Sequence, residues 1–306
     1  METGVSHRQI ELAGIELHVA ECGQGPLVVC CHGFPELWYS WRHQLPVLAA
    51  AGYRVVAPDM RGYGRSGRPE AIGDYDIAHL GADVLGLIDA LGEERAVVVG
   101  HDWGAMVAWY LAQAAPERLH GVAALSVPFV PRGPRPPTET WRKQFEDQFF
   151  YILYFQEPGV ADAQLDADPG ASLRFIFRRV SPDVFDGTAE VPNVPGWLSD
   201  EDFAVYEAEF RRTGFTGGLN WYRNLDRNWG LTEEVAGRKV EIPVAYIGGE
   251  RDPVLRFMPV EPMAEWVPGL VEQVLIPGVG HWTQQQGPAE TNDILVRFLA
   301  GLDLPR

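Results

Sequence analysis

The sequence predicts an α/β protein whose mostly parallel, eight-stranded sheet is interrupted after its sixth strand by a helical insertion. In the first and last parts of the 306-residue chain, continuous apolar β-branched runs alternate with helix-forming amphipathic segments. That alternation is typical of a parallel sheet with helices on both faces. We therefore predict a core domain built from residues 1–137 and 238–306, with residues 138–237 forming a helical cap.

The predicted strands differ in their pattern. The first two alternate apolar and polar residues around Gly14, which favours an opening hairpin, whereas the later ones are continuous apolar runs of buried strands. In chain order the strands are residues 8–12, 15–20, 27–31, 53–57, 96–99, 121–127, 242–248 and 271–276. Helices are predicted between them over residues 40–51, 77–91, 105–114, 259–267 and 288–302.

The insertion begins at a proline-rich stretch. Residues 128–137 contain five prolines, which indicate a linker or a domain boundary. Beyond it there is no strand signal, and the apolar periodicity predicts helices over residues 141–155, 171–180 and 200–212. Open α/β sheets bind ligands at the carboxyl ends of their strands, so a site there would lie beneath this cap. Such a lid can exclude water from a reaction.

Composition excludes several classes of function. The net charge is −17, and nothing basic is clustered to neutralise phosphates, so we expect no nucleic-acid partner. The three cysteines are odd in number and lack metal-ligand spacing, which predicts reduced thiols and no metal. The polar N-terminus and the absence of a long apolar run predict a cytoplasmic protein without membrane contact.

The chemistry is concentrated where the fifth predicted strand meets its helix. There the sequence reads Gly100-His101-Asp102-Trp103-Gly104, the Gly-x-X-x-Gly frame of a nucleophile elbow. The glycines allow strand and helix to approach closely, and the central residue is forced into a strained turn with an exposed side chain. We therefore predict Asp102 as a nucleophile, in the place that serine occupies in esterases.

In this frame an acid and then a histidine follow the nucleophile along the chain. Asp252 comes just after the seventh predicted strand and His281 just after the eighth, both at carboxyl edges. Glu250 is the weaker candidate for the acid. No acidic residue follows the strand that ends at Val127, so the alternative position for the acid is empty.

A second glycine pattern has a different interpretation. Gly62, Gly64 and Gly67 form a literal G-x-G-x-x-G, the fingerprint of dinucleotide-binding sites. That fingerprint must open directly into a helix, whereas here Arg68-Pro69 and another loop follow. We interpret the segment as a glycine-rich surface loop and expect no nucleotide cofactor.

Five segments together resemble the soluble epoxide hydrolases of the α/β-hydrolase family, over nearly the whole chain. Two are the elbow and the preceding HGFP, residues 32–35; a third is GHWTQ, residues 280–284. The last two lie in the cap: FYILYFQEPG, residues 150–159, and LNWYRN, residues 219–224. The resemblance implies the α/β-hydrolase fold, with a mostly parallel eight-stranded sheet and a helical cap inserted after strand 6.

The resemblance also implies roles for the two cap segments. They carry the family's ring-opening tyrosines, which are Tyr151 and Tyr222 in this chain. Tyr154 is a near alternative, three residues on and on the same helix face. We prefer Tyr151 because it lies five residues before Gln-Glu-Pro-Gly. A phenol has a pKa of about 10 and can donate to the departing epoxide oxygen at neutral pH.

The implied reaction converts an epoxide to a vicinal diol in two steps without a cofactor. Asp102 would displace the ring oxygen to give an alkyl-enzyme ester, and His281, oriented by Asp252, would activate the water that hydrolyses it. The backbone N–H groups of Phe34 and Trp103 are placed to form the oxyanion hole. The predicted substrate pocket is apolar and is lined by Phe34, Trp103, Phe155 and Trp282.

Other functions stay open at this stage. A haloalkane dehalogenase shares the Asp nucleophile and adjacent Trp, but it needs halide donors and does not explain two tyrosines. A haloacetate dehalogenase would want arginines near the nucleophile, and Trp103-Gly104 offers none. A hydrolase-fold binding protein without turnover is the third alternative. The expected partners are a small apolar epoxide and water, and a homodimer is left open.

Overall fold

The computed structural model describes residues 4–146, 148–178 and 190–305. Within them the strands form one sheet of eight, in the order β1-β2-β4-β3-β5-β6-β7-β8. The strands β1 and β2 pair antiparallel, as do β2 and β4, and the other pairs are parallel. Their bounds are β1 Ser6–Leu12, β2 Ile15–Cys22, β3 Leu27–Cys31, β4 Arg54–Pro58, β5 Ala96–His101, β6 Leu119–Leu125, β7 Val244–Gly249 and β8 Leu270–Ile276. The predicted α/β fold is confirmed.

The central strand β5 shows why a continuous apolar run predicts a strand that is buried on both faces. All six of its residues are buried, because helices cover both faces of the sheet. Val98 lies between Val29 of β3 and Val122 of β6. Its side chain belongs to one core cluster, and those of Val97 and Val99 belong to the cluster on the opposite face. Alternate residues of one strand therefore fill two separate cores.

The helices cover those two cores. In chain order they are α1 Gln44–Ala50, α2 Ile77–Ala90, α3 Trp103–Ala114, α4 Pro137–Phe145, α5 Tyr151–Tyr154, α6 Val160–Ala167, α7 Pro169–Arg178, α8 Asp200–Thr213, α9 Thr216–Arg223, α10 Leu225–Leu231, α11 Met263–Trp266, α12 Thr283–Gln286 and α13 Pro288–Ala300. The helices α2 and α3 pack on one face with the cap aromatics, and α1 and α13 pack on the other. The final two residues of the predicted 171–180 helix lie outside the described residues.

Three predicted helices are wrong in their extent. The one predicted over residues 259–267 is only the short helix α11, Met263–Trp266. The first predicted helix begins at Gln44 rather than at Ser40, because Trp38–Trp41 forms a separate 3₁₀ turn. The predicted helix over residues 141–155 is two helices, α4 and α5. Glu146 has φ 41°, in the left-handed region, and a residue there cannot continue a right-handed helix. The break makes Tyr151 the first residue of a new helix.

The described helices between β6 and β7 contact loops at the carboxyl ends of the strands. The Trp221 indole donates to the backbone oxygen of Arg61 at 3.0 Å, which fixes α9 to the core loop after β4. On the other side Tyr206 of α8 contacts Ser40, with 3.0 Å between their hydroxyl oxygens. In the described part of the chain, no helix is long and apolar enough to cross a membrane.

Candidate active site

The turn between β5 and α3 has the geometry that its glycines require. Asp102 has φ 53° and ψ −118°, a strained conformation for a residue with a side chain. A Cβ on Gly104 would lie 2.0 Å from the Cys31 carbonyl oxygen, and one on Gly100 would lie 2.2 Å from the Gly104 oxygen. Only glycine fits at either place. The strand and helix therefore meet closely enough to raise the Asp102 carboxylate above the sheet.

One oxygen of that carboxylate is held by the loop after β3. The backbone N–H of Phe34 donates to Asp102 Oδ1 at 2.9 Å. A Cβ on Gly33 would lie 2.3 Å from the same oxygen, so the loop can approach only because residue 33 is glycine. Trp103 begins α3, where backbone N–H groups have no carbonyl partner within the helix. Of the two predicted oxyanion donors, the Phe34 N–H thus contacts the carboxylate, and the Trp103 N–H lies in the first turn of α3, one residue after Asp102.

The predicted acid and base lie beside Asp102. His281 Nδ1 is 3.0 and 3.2 Å from the two carboxylate oxygens of Asp252. The other ring nitrogen, Nε2, is 3.5 Å from Asp102 Oδ2. Asp252 is buried and also accepts from the Val254 N–H at 2.9 Å. Glu250, the weaker candidate, is exposed and accepts from Gly278 N–H instead.

Electrostatics favour the protonated form of His281. Burial acts to lower the pKa of its imidazole, but the carboxylates of Asp252 and Asp102 outweigh burial and raise that pKa well above 6.5. For Asp252 burial acts to raise the pKa, and the charge of His281 with the hydrogen bond from Val254 lowers it overall. The environment of His281 therefore favours the protonated imidazole.

The two predicted tyrosines lie close together near Asp102. Their ring centroids are 6.1 Å apart, and the ring of Tyr222 lies 5.1 Å from Trp103 and 5.4 Å from Phe34. Burial raises the pKa of both phenols, and the negative charge of Asp102 raises it further. A hydrogen bond with the Trp103 side chain acts in the opposite direction on Tyr222. Both phenols are thus protonated donors at neutral pH.

Tyr154 is bonded to a neighbouring helix and not to the groups around Asp102. Its hydroxyl donates to Gln164 of α6, and its ring lies 5.7 Å from Phe149. Only burial raises its pKa, without the contribution from Asp102 that acts on Tyr151. The structure therefore brings together the site residues predicted from the sequence and separates Tyr154 from them.

Comparison with known proteins gives consistent results. A family model described as the alpha/beta hydrolase fold matches residues 26–288. Epoxide hydrolase A of Mycobacterium tuberculosis is 49% identical over 98% of this chain and 98% of that one. The crystal structure of Epoxide Hydrolase A from Mycobacterium thermoresistibile superposes with a TM-score of 0.94 at 51% identity, covering 98% of this chain and all of that one.

The chain belongs to the epoxide hydrolases of the α/β-hydrolase family. More distant members match as well. Bifunctional epoxide hydrolase 2 of Sus scrofa is 42% identical over 94% of this chain, which spans about half (53%) of that longer protein. The crystal structure of an epoxide hydrolase from Vigna radiata has a TM-score of 0.91 at 40% identity, covering 98% of this chain and 99% of that one.

In this epoxide hydrolase the four predicted pocket aromatics have different surroundings. Phe155 is 0% exposed and packs behind the tyrosines, 5.2 Å from Tyr222 and 5.5 Å from Tyr151, so it supports them. Trp282 packs 4.8 Å from His281, and its indole donates to the Phe177 oxygen at 2.9 Å. Phe34 and Trp103 lie directly beside Tyr222, as given above.

An apolar cavity of about 370 Å³ begins at the far side of Trp103. Its walls come from α3, the proline-rich stretch, α4, α10 and the loop before α11. Met106, Trp141, Phe257 and Met258 are among the lining residues, whereas Asp102 is not. Trp103, the residue after Asp102, therefore borders this cavity.

Sequence reasoning missed a buried polar cluster of this epoxide hydrolase. Glu36 Oε2 lies 2.5 Å from His101 Nδ1, and both side chains are fully buried. Gln284 and Gln285 of α12 donate to the other oxygen of Glu36. The signal available was a glutamate four residues after His32 in an otherwise apolar segment, since a buried charge is rarely left unpaired.

Proposed function

We propose that this chain hydrolyses small apolar epoxides to vicinal diols through a covalent ester on Asp102. The observation that supports it best is the pair of protonated phenols, Tyr222 buried and Tyr151 partly buried, above the carboxylate that His281 contacts. A carboxylate suits attack on a saturated carbon, and a phenol suits a departing alkoxide. A halide leaving group needs no proton and gives no reason for two tyrosines.

In the first step Asp102 Oδ2 attacks a ring carbon from the side opposite the ring oxygen. A new C–O bond to Oδ2 forms while the ring C–O bond breaks, and its electron pair stays on the oxygen. Tyr151 and Tyr222 hydrogen-bond that oxygen, and one of them supplies the proton. Asp102 Oδ1, held by the Phe34 N–H at 2.9 Å, becomes the ester carbonyl oxygen.

In the second step water attacks the Asp102 Cγ and gives a proton to His281. The charge develops on Oδ1, where the Phe34 N–H already donates, and the Trp103 N–H is the second donor of the proposed oxyanion hole. Collapse breaks the bond between Cγ and Oδ2, and the proton on His281 passes to the leaving diol oxygen. The other proton of the water, left on the Asp102 carboxyl, returns to the tyrosinate, which restores both the carboxylate and the phenol. The oxygen of the water therefore remains in Asp102, and the diol carries away Oδ2.

The charge balance of the site predicts the pH dependence of each step. The two carboxylates raise the pKa of His281 in the resting enzyme, and esterification removes the charge of Asp102, so that pKa falls. We expect ester hydrolysis to accelerate as pH rises between about 5 and 8, where an imidazole titrates. Ester formation does not need a neutral His281 and should not share this rise. Rapid-mixing single turnovers at several pH values separate the two rates. If ester formation also slowed at low pH in the same way, the assignment of His281 to the second step would be contradicted.

The tyrosines give a prediction for the first step. Tyr151→Phe and Tyr222→Phe are each expected to slow ester formation by about 10²-fold, the cost of losing one donor to a developing oxyanion. Hydrolysis of the ester should change little, because the alkoxide has already been protonated. Pre-steady-state measurement of ester formation gives this rate directly.

Tyr154→Phe is the matched control for those variants. It removes a phenol hydroxyl from the same helix as Tyr151, but that hydroxyl bonds to Gln164. We expect ester formation to stay within about twofold of the wild-type rate. If Tyr154→Phe were the most damaging of the three changes, the assignment of the cap donors would be wrong.

A substrate panel tests the function as a whole. The purified protein is given styrene oxide, trans-stilbene oxide and 1-bromobutane, and diol and bromide are measured. Diol from either epoxide without bromide is the expected result. Bromide without diol would identify a dehalogenase, and inactivity towards all three would favour a binding protein.

A further inference from the structure

A buried serine lies at the end of β6, where the sequence offers no acid. Ser126 is 0% exposed and has φ 68°, in the left-handed region that side chains rarely adopt. Its hydroxyl does not face the carboxylates. Instead it donates to the backbone oxygen of His281, with 2.5 Å between the oxygens, across 155 residues of sequence.

His101 supplies a second donor to the same carbonyl. Its Nε2 lies 2.8 Å from the His281 oxygen, and its Nδ1 lies 2.5 Å from Glu36 Oε2. Nε2 also lies 3.1 Å from Ser126 Oγ, so His101 links Glu36 both to Ser126 and to the His281 backbone. Burial acts to raise the pKa of Glu36, but the interaction with His101 outweighs burial and lowers that pKa to about 2. The carbonyl of His281 thus has two side-chain partners, Ser126 and His101.

The surroundings of Ser126 hold its unusual conformation. Its N–H donates to the Ile247 oxygen at 3.0 Å, and its own carbonyl accepts from the Tyr246 hydroxyl at 2.9 Å. The Thr283 hydroxyl lies 2.9 Å from Ser126 Oγ. A strained residue persists only when its neighbours over-determine it, and such residues cluster at functional sites. Here the strained conformation directs the Ser126 hydroxyl to the backbone oxygen of His281.

We propose that Ser126, together with His101, is a positioning residue that fixes the backbone of His281 for ester hydrolysis. Asp252 holds the imidazole at Nδ1, and Ser126 holds the main chain from which the imidazole extends. Two anchors on opposite sides of Cα define where Nε2 points. This inference rests on the proposed two-step reaction, in which only the second step needs Nε2 aimed at a water.

The expected effect is therefore confined to one step. Ser126→Ala should slow ester hydrolysis by about 10-fold, since small misplacements of a catalytic group cost this much or more. Ester formation should stay within about twofold of the wild-type rate. When only the second of two steps slows, kcat and KM fall together and kcat/KM is preserved. A residue that only stabilised the fold would not produce this split.

The experiment is a set of single turnovers with trans-stilbene oxide on wild type, Ser126→Ala and Ser126→Gly, with intact-protein mass reporting the ester. Ser126→Gly also removes the hydroxyl but accepts φ 68° without strain. Thr291→Val is the matched control: it removes a buried hydroxyl that bonds to the Thr283 oxygen and does not contact His281. Thermal unfolding is measured for each variant.

Slower ester hydrolysis with unchanged ester formation in either Ser126 variant, and not in Thr291→Val, supports the positioning role. Equal slowing of both steps, no change in either, or loss of folded protein in both Ser126 variants would overturn it. Failure of the proposed function is a distinct result, because the wild-type protein itself would then form no ester and release no diol.

Discussion

Asp102→Asn is expected to lower kcat/KM for an epoxide by at least about 10⁴-fold, the order of loss seen when a nucleophile is removed. The amide is nearly the same size as the carboxylate, and asparagine tolerates the φ of 53° found here. The Oδ1 atom can still accept from the Phe34 N–H. The loss should therefore come from chemistry, because a neutral amide is a far weaker nucleophile towards carbon.

The measurement combines diol release, intact-protein mass and thermal unfolding. We expect no adduct, almost no diol, and a Tm close to that of the wild type. The mass must also show that the amide at position 102 has not hydrolysed back to an acid. A variant that kept a tenth of wild-type turnover with its amide intact would mean that another group attacks the epoxide.

His281→Gln is expected to block the second step, whereas Asp102→Asn blocks the first. Attack by Asp102 does not need a neutral base, so about one equivalent of substrate should react and remain attached to the protein. Turnover after that first equivalent should fall by about 10³-fold or more, because no group is left to take the proton from water. The adduct should be stable enough for mass measurement and for peptide mapping to Asp102.

Glu250→Gln is the control for the acid–base pair. Its side chain accepts from the Gly278 N–H at 3.0 Å, and glutamine keeps an oxygen for that bond. We expect wild-type turnover and no adduct. An adduct in Glu250→Gln would restore Glu250 as the orienting acid, and the absence of any adduct in His281→Gln would show that His281 also acts before the ester forms.

Much of the catalytic core could be predicted because local sequence dictates it. A close strand–helix junction allows only glycine at positions 100 and 104. Five residues of sequence are therefore enough to predict the elbow. Asp252 and His281 follow strands, and parallel strands bring their carboxyl ends to the same edge. Topology alone then places Asp252 and His281 near Asp102.

The remainder depends on contacts that the sequence does not encode locally. The helical periodicity of the sequence continues through Glu146. The periodicity therefore does not predict the break that places Tyr151 at the start of a helix. Tyr151 and Tyr154 share a helix face, and only packing shows that one lies near Asp102 while the other bonds to Gln164. The hydroxyl of Ser126 reaches a carbonyl 155 residues away, and no local pattern marks it.

The central claim is that the oxygen added to the epoxide comes from Asp102 in the first turnover, rather than directly from water. A single turnover in ¹⁸O water, with enzyme in excess over trans-stilbene oxide, tests it. We expect the diol of this first turnover to carry no label and Asp102 to have gained it, and we expect labelled diol when a second portion of substrate is given to the same enzyme. Label in the first diol, with none in Asp102, would mean that water opens the ring directly and would contradict the covalent mechanism.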